Sequence, residues 1–457
     1  MLTNYHELIK KIANYDRCHA GPEMEAAYDE VVKYYDGARK FQYPSGQKIY
    51  HWELPPYWVC KRAELIDPNG KTIASKEKSN LSVFSYSPSF SGKISLDELK
   101  PHLFTNPNKP NVIPFHFRNQ YRHRSPEWGF CLPFEIYENL ISGEYFVNIE
   151  SELDYNGKVT QVDYLKKGRS KKEVIFVGHF DHPDQINDGL SGCIASFEVI
   201  KRLQTLDTKY SYRAFASVEI VGSAAYLYNE KGFSENIKAG TFLALCGINQ
   251  PLVYQSSFYN QNILDRAYSN VINTRGNKNV VFSHREKIGN DENVFDSVGY
   301  EIPMGTFLRW PFENYHTSDD NFENYSKEAM EELIERTLQV VDIIENDCIP
   351  IANFKGIPSL ASPEIDLYLS PTNISQTRNS SAIEKYGDKL TNEDYEYILG
   401  ETDLLYHFMR ITLRMVDGKN TILDICEATK MPFSFAFWYI KQLEQKGLVS
   451  IKEVDHL

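Results

Sequence analysis

The chain has 457 residues, 42% apolar and 24% charged, the composition of a folded soluble protein long enough for two or three domains. A formal charge of −13 argues against a general nucleic-acid surface, which needs clustered Lys and Arg to displace counterions. Seven scattered cysteines with no C-x-x-C pair argue against a disulfide framework or a cysteine zinc site, and no run of eighteen apolar residues exists to span a membrane.

Residues 1–53 read as helices, Leu2–Tyr15 and Pro22–Tyr35, followed by alternation around the Ser45-Gly46 turn. The first helix is amphipathic without an uninterrupted apolar core, so it is not read as a signal peptide, and a cytoplasmic setting is expected. Residues 54–152 change to short β runs (AELIDPNGKTIA, LSVFSYSPSF, GEYFVNIESEL) separated by turn clusters, and are read as a small inserted β-rich domain. Ser95 followed by Glu98 has the form of a capping box.

From 153 to 350 strands alternate with helices. The strands are Val174–Val177, Tyr212–Ile220, Ala239–Ile248, Val280–Ser283 and Glu301–Phe307. The helices are Ile194–Leu203, a segment reaching Glu230, Gln261–Asn273 and Lys327–Asp347, with the loop Gly289–Phe295 entering one more. This order predicts an α/β fold, a mostly parallel sheet with crossover helices on both faces. Residues 351–400 are irregular and polar, a linker or packing arm with a helix near Asn392–Leu399. Residues 401–457 place helices at Leu404–Val416, Thr421–Thr429 and Pro432–Gln445 before the strand LVSIKEV, the order of a winged helix. Its third helix, PFSFAFWYIKQLEQ, offers few donors to base edges, and its bases are matched by acids. Docking or self-association is therefore expected before duplex DNA.

The chemistry concentrates in Lys172–Leu203. A buried-strand run empties into a loop carrying His179, Asp181, His182, Asp184 and Asp188, and a helix follows. Loops leaving the carboxyl ends of parallel strands converge on one crevice, and imidazoles mixed with carboxylates suit a borderline divalent ion. Glu219 and His316 lie at or after later strand ends, so His179 or His182, Asp188, Glu219 and His316 form a candidate metal cleft. A carboxylate such as Asp188 can bridge two ions, and a free Glu beside the metal can take a proton from bound water.

GHFDHPDQINDGLSG, VEIVGS, NDENVF and ENYHTSDDN together resemble the zinc aminopeptidase fold of the co-catalytic exopeptidase clan. With SGQKIYHWELPPYW, SNLSVFSYSPSFSGKISLDELKPHL, WGFC and YSYRAFASVEIVGS, nearly the whole chain resembles a bacterial aminopeptidase-like family. That family has an inserted β-rich domain, a C-terminal winged helix and links to surface-polysaccharide or flagellin-glycosylation functions. The resemblance implies a zinc enzyme with one or two ions, Asp188 as bridging ligand and His316 as the C-terminal ligand. The family's His-Pro points to His182, whereas the clan's His-x-Asp points to His179 with Asp181 orienting it; His182 is preferred and His179 stays open. Glu219 is implied as base or ligand, with Asp181, Asn249, Asp291 and Tyr315 around these groups. Two departures stand out: one glutamate, Glu219, replaces the clan's adjacent pair, and Asn249 falls where a further metal aspartate is expected. The implied reaction is cleavage of an amide next to a free amine in a small peptide or amino-sugar-like substrate. The departures imply an alternative, a scaffold without turnover that binds a sugar or peptide ligand, or a partner protein through the winged helix.

Overall fold

All seven residues of Glu173–His179 and all seven of Ser211–Ser217 are buried, as in strands covered on both faces. The two pair in parallel, Val177 opposite Phe215. The computed structural model describes residues 4–274, 280–369, 392–401 and 403–457. Two compact units emerge, residues 1–250 with 288–334, and residues 251–287 with 335–457.

In the first unit six strands lie in the order Arg39–Pro44, Lys158–Lys166, Ser211–Ser217, Glu173–His179, Ile237–Ala244, Met304–Arg309. The first two pairings are antiparallel and the other three parallel, so the fold is α/β with a large, mostly parallel sheet. The helix Leu190–Leu203 packs so closely on this sheet that a Cβ at Gly192 would meet Leu243 O at 1.8 Å. Helices Tyr5–Ile12, capped by Asn4, and Pro22–Tyr34 precede the sheet. A separate antiparallel sheet, in the order Thr72–Ser75, Tyr57–Ile66, Glu144–Asp154, Phe90–Ser95, has its own apolar cluster around Trp58, Leu65, Tyr86, Phe130 and Tyr145. The Ser95–Glu98 capping box is present.

Two strands end earlier than their apolar runs predict, for the same reason. The run expected as Tyr212–Ile220 stops at Ser217, because Ile220 adopts φ +60° and the helix Val221–Asn229 begins directly after it. The run expected as Ala239–Ile248 stops at Ala244, because Leu245 adopts φ +51° and donates its N–H to Asn187 O at 3.1 Å. The strand expected at Glu301–Phe307 is shifted to Met304–Arg309, after Glu301 at φ +52°.

In the second unit Leu252–Gln255 pairs in parallel with Val280–Phe282, and Cys348–Ala352 pairs antiparallel with Val449–Glu453. Helices Leu404–Met415, Ile422–Thr429 and Phe433–Gln445 lie between the latter two strands, the second opened by a Thr421–Asp424 capping box. The expected helix near 392–399 is observed as Asn392–Gly400, and residues 370–391 of the expected linker lie outside the described residues. No described helix is long and apolar enough to cross a membrane.

Candidate metal centre

The loop between the strand Glu173–His179 and the helix Leu190–Leu203 is fixed from several directions. His182 and Asp184 take φ of +78° and +60°, a tight path that three sets of contacts hold in place. Arg17, fully buried, donates to the carbonyls of Phe180 at 2.7 Å, Asp181 at 3.3 Å and Gln185. Asp184 accepts from Ser79 Oγ, Asn80 N and Asn80 Nδ2, each at 2.7 Å. The backbone N–H groups of Asn187 and Asp188 each donate to the Asp320 carboxylate at 2.8 Å.

Asp188 is the hub that results. Its Oδ1 lies 3.2 Å from His179 Nε2, and its Oδ2 lies 3.3 Å from His182 Nδ1 and 3.0 Å from His316 Nε2. Oδ2, His182 Nδ1 and His316 Nε2 are buried and make no hydrogen bond in spite of this approach. Buried polar atoms are nearly always paired. Three orphans facing one another fit the donor set of one shared divalent cation. The other face of the His182 ring looks elsewhere: Nε2 lies 3.5 Å from Glu219 Oε2 and 4.0 Å from Asp181 Oδ2. Ligand-capable atoms of His179, His182 and Asp188, and again of Asp181, His182 and Glu219, lie within 4.8 Å of one another.

Charge is balanced within this cluster. Burial pushes the Asp188 carboxyl up, but His182, His179 and His316 outweigh it and hold it well below the usual range. Burial pulls His179 down, but the carboxylates of Asp181 and Asp188 beside its ring win, leaving it well above its usual value. His182, also pulled down by burial, is raised to about 9, chiefly by Asp188.

Glu219 is held at both oxygens, by the Tyr121 hydroxyl at 2.6 Å and the Asn290 amide at 2.9 Å, and its backbone N–H donates to Asp181 at 2.9 Å. Asp291 stands behind this turn, accepting from Ile220 N at 3.2 Å and from Ser223 Oγ, and burial raises it to about 7. Tyr315 stacks on His316 with ring centroids 3.9 Å apart. Asn249 is the exception: it is exposed and borders a different recess with Pro311, Glu313 and Asn324. The early end of the strand at Ala244 carries it away.

Sequence reasoning missed five participants. His19, buried, places Nε2 3.1 Å from Asp181 Oδ2. Arg17 holds the loop, and Tyr121 holds Glu219. Phe115 and Phe117 set their rings 5.4 and 5.3 Å from that of His316, on a segment whose Phe115 N–H donates to His316 O at 2.9 Å. The one local signal was the polar string Asp16-Arg17-Cys18-His19 before a helix, which carries no periodicity or spacing that points inward.

Residues 6–347 match the family described as "Domain of unknown function (DUF4910)". The chain belongs to this family. This DUF4910 chain is 29% identical over 394 residues to a Clostridium acetobutylicum protein named "Putative polysaccharide biosynthesis protein with aminopeptidase-like domain", covering 85% of the chain and 83% of that protein. It is also similar to the crystal structure of a "putative peptidase" from Clostridium acetobutylicum, with a TM-score of 0.81, 26% identity and coverage of 98% and 96%. BSAP, a zinc aminopeptidase from Bacillus subtilis, shares the fold at a TM-score of 0.52 and 13% identity, over 75% of this chain and 95% of its own. The architecture of the DUF4910 chain is thus aminopeptidase-like.

Proposed function

We propose that the chain is a zinc-dependent aminopeptidase-like hydrolase, cleaving an amide next to a free amine in a small peptide or amino-sugar-like substrate. The observation that carries this reading is the convergence of Asp188 Oδ2, His182 Nδ1 and His316 Nε2, all buried and all without hydrogen bonds. Those three residues are the ligands we assign, with His179 on the second oxygen of Asp188 as ligand or buttress. A zinc ion so held supplies Lewis acidity to a carbonyl and lowers the pKa of bound water. Glu219, fixed by Tyr121 and Asn290, is placed to take a proton or to join the ligands. Asp181 orients His179 from 3.5 Å, and the rings of Phe115, Phe117 and Tyr315 pack around His316.

In the same reading residues 54–152 form an inserted β-rich domain, supported by their own antiparallel sheet and apolar cluster, and residues 401–457 a winged helix used for docking or self-association. The aminopeptidase-like domain spans 153–350, joined by the helices of 1–53, and a cytoplasmic setting accompanies it. The name of the Clostridium acetobutylicum relative supports a role in surface-polysaccharide or glycan biosynthesis.

A second reading, a binding scaffold without turnover, is favoured by two observations: no acidic residue adjoins Glu219 in the sequence, and Asn249 lies away from the cluster. Elemental analysis of wild type and Asp188→Ala, with amide hydrolysis by wild type and Glu219→Gln, decides between them. The hydrolase reading expects zinc in wild type, none in Asp188→Ala, and turnover abolished in Glu219→Gln. Full hydrolysis after metal removal overturns it, and bound zinc without any hydrolysis selects the scaffold.

A further inference from the structure

Beside Glu219 lies a recess of about 280 Å³, bordered among others by Trp52, Gln120, Tyr121, Arg122 and Val221. Tyr121 joins it to the candidate metal centre, since this residue borders the recess and its hydroxyl donates to Glu219 at 2.6 Å. Val221 belongs to the same turn as Glu219. A group bound here therefore lies one side chain away from Glu219.

Much of the polar wall is already engaged. Glu53 pairs with Arg124, whose guanidinium lies 4.1 Å over the Tyr155 ring. His123 faces Glu53 O at 3.3 Å and Tyr155 OH at 3.4 Å. Beside the exposed His51, three bordering groups remain uncommitted among the described residues. Gln120 is 2% exposed, yet neither Oε1 nor Nε2 has a partner among the described residues. Arg122 is exposed and makes no ion pair among the described residues. Trp52 is 40% exposed, with its ring 6.4 Å from that of Tyr121.

We propose that this recess binds one acidic saccharide unit of the substrate, of the uronic-acid type. The apolar face of a pyranose ring packs on the Trp52 indole, whose flat surface suits it. The Gln120 amide, a donor and an acceptor together, matches sugar hydroxyls, which are also both. The Arg122 guanidinium takes the carboxylate as a forked, charge-assisted pair. An acidic peptide side chain engages Arg122 but leaves the indole and the amide idle, and a neutral sugar leaves Arg122 idle. The volume, near the lower end of small-molecule sites, holds about one monosaccharide. The proposal rests on the hydrolase reading only in setting this unit next to the cleaved amide; the binding itself does not need turnover.

The test uses the full chain carrying Glu219→Gln, which keeps an oxygen acceptor for Tyr121. Glucuronate, glucose and N-acetylglutamate are each titrated by ligand-observed NMR. Glucuronate is expected to bind at least tenfold tighter than the other two. Arg122→Ser brings glucuronate to the level of glucose, and Trp52→Ala weakens both sugars tenfold, with unchanged circular dichroism in both variants. Equal glucuronate binding in these variants, or N-acetylglutamate binding as tightly as glucuronate, overturns the proposal. Failure is separable from failure of the hydrolase reading: an active wild type whose Glu219→Gln variant binds no glucuronate removes the saccharide recess alone, and glucuronate binding alongside a zinc-loaded wild type without turnover removes the hydrolase alone.

Discussion

The Tyr121 hydroxyl donates to Glu219 Oε2 at 2.6 Å, across 98 positions of sequence. Burial pushes the Glu219 carboxyl up, but the His182 imidazole 3.5 Å away outweighs it, and the group stays ionised below its usual range. Tyr121→Phe keeps the ring against His19, 5.2 Å between centroids, and removes only the donor. A hydrogen bond to a charged group contributes roughly 1.5–3 kcal/mol, so kcat/KM is expected to fall about tenfold to a hundredfold. The acid limb of the profile moves to higher pH, because a carboxylate that loses a donor is easier to protonate. A pH profile of kcat/KM checks both; a lower Tm with an unmoved profile assigns Tyr121 to packing alone.

Arg17 presents a different dependence. Its guanidinium reaches the carbonyls of Phe180, Asp181 and Gln185 at once, and although burial lowers its pKa to about 10 it remains charged at neutral pH. A lysine carries the same charge on one compact ammonium and cannot span those carbonyls. Arg17→Lys is expected to cost about 2–4 kcal/mol, seen as a lower urea midpoint at unchanged m-value. Because the stapled loop carries His182, zinc content at limiting metal falls with it. Full retention of metal in a destabilised variant would separate the loop's stability from the shape of the centre.

What the sequence displays follows from what is local. The sheet is legible because strands buried on both faces leave continuous apolar runs, and the loop of His179, His182 and Asp188 because donor types crowd between one such run and a helix. Arg17, His19 and Tyr121 are not legible: each reaches the centre through tertiary contact, Arg17 to Phe180 across 163 positions, and in sequence each has the look of an ordinary surface residue. Asn249 reads as a strand-end residue because it follows the apolar run 239–248, and hydropathy carries no mark of the positive φ at Leu245, which ends the strand at Ala244. Ile220 hides the same kind of turn.

Asp291 gives a stability effect with a definite sign. Its buried carboxyl is raised to about 7 from an unfolded value near 3.8, so the folded state favours the protonated form. The stability it contributes is complete below the unfolded pKa and is lost as pH rises through the folded one. Asp291→Asn keeps an oxygen to accept from Ser223 Oγ and Ile220 N while removing the titration. In metal-free protein the variant should match wild type near pH 4 and exceed it above pH 7, by up to about 4 kcal/mol if the whole shift is realised. Denaturant curves at the two pH values test this; a constant difference between the proteins would show that the carboxylate is solvated in the fold.

Gly192 ties the helix Leu190–Leu203 to the sheet, and the position of Asp188 depends on that contact. A Cβ at Gly192 would lie 1.8 Å from Leu243 O and 2.6 Å from Leu243 C, backbone atoms of the strand Ile237–Ala244 that cannot rotate aside. The helix must therefore retreat, and overpacking of this kind costs about 1–3 kcal/mol or more, against at most about 1 kcal/mol returned by the helix propensity of alanine. Gly232 is the control: it lies in the helix Lys231–Ser234 with nothing within 4 Å of its added Cβ. Gly192→Ala is expected to lower Tm and, by moving the helix that follows Asp188, to weaken metal retention, whereas Gly232→Ala leaves both unchanged or raises Tm slightly. Equal melting of the two variants would mean that the helix can back away from the strand at no cost.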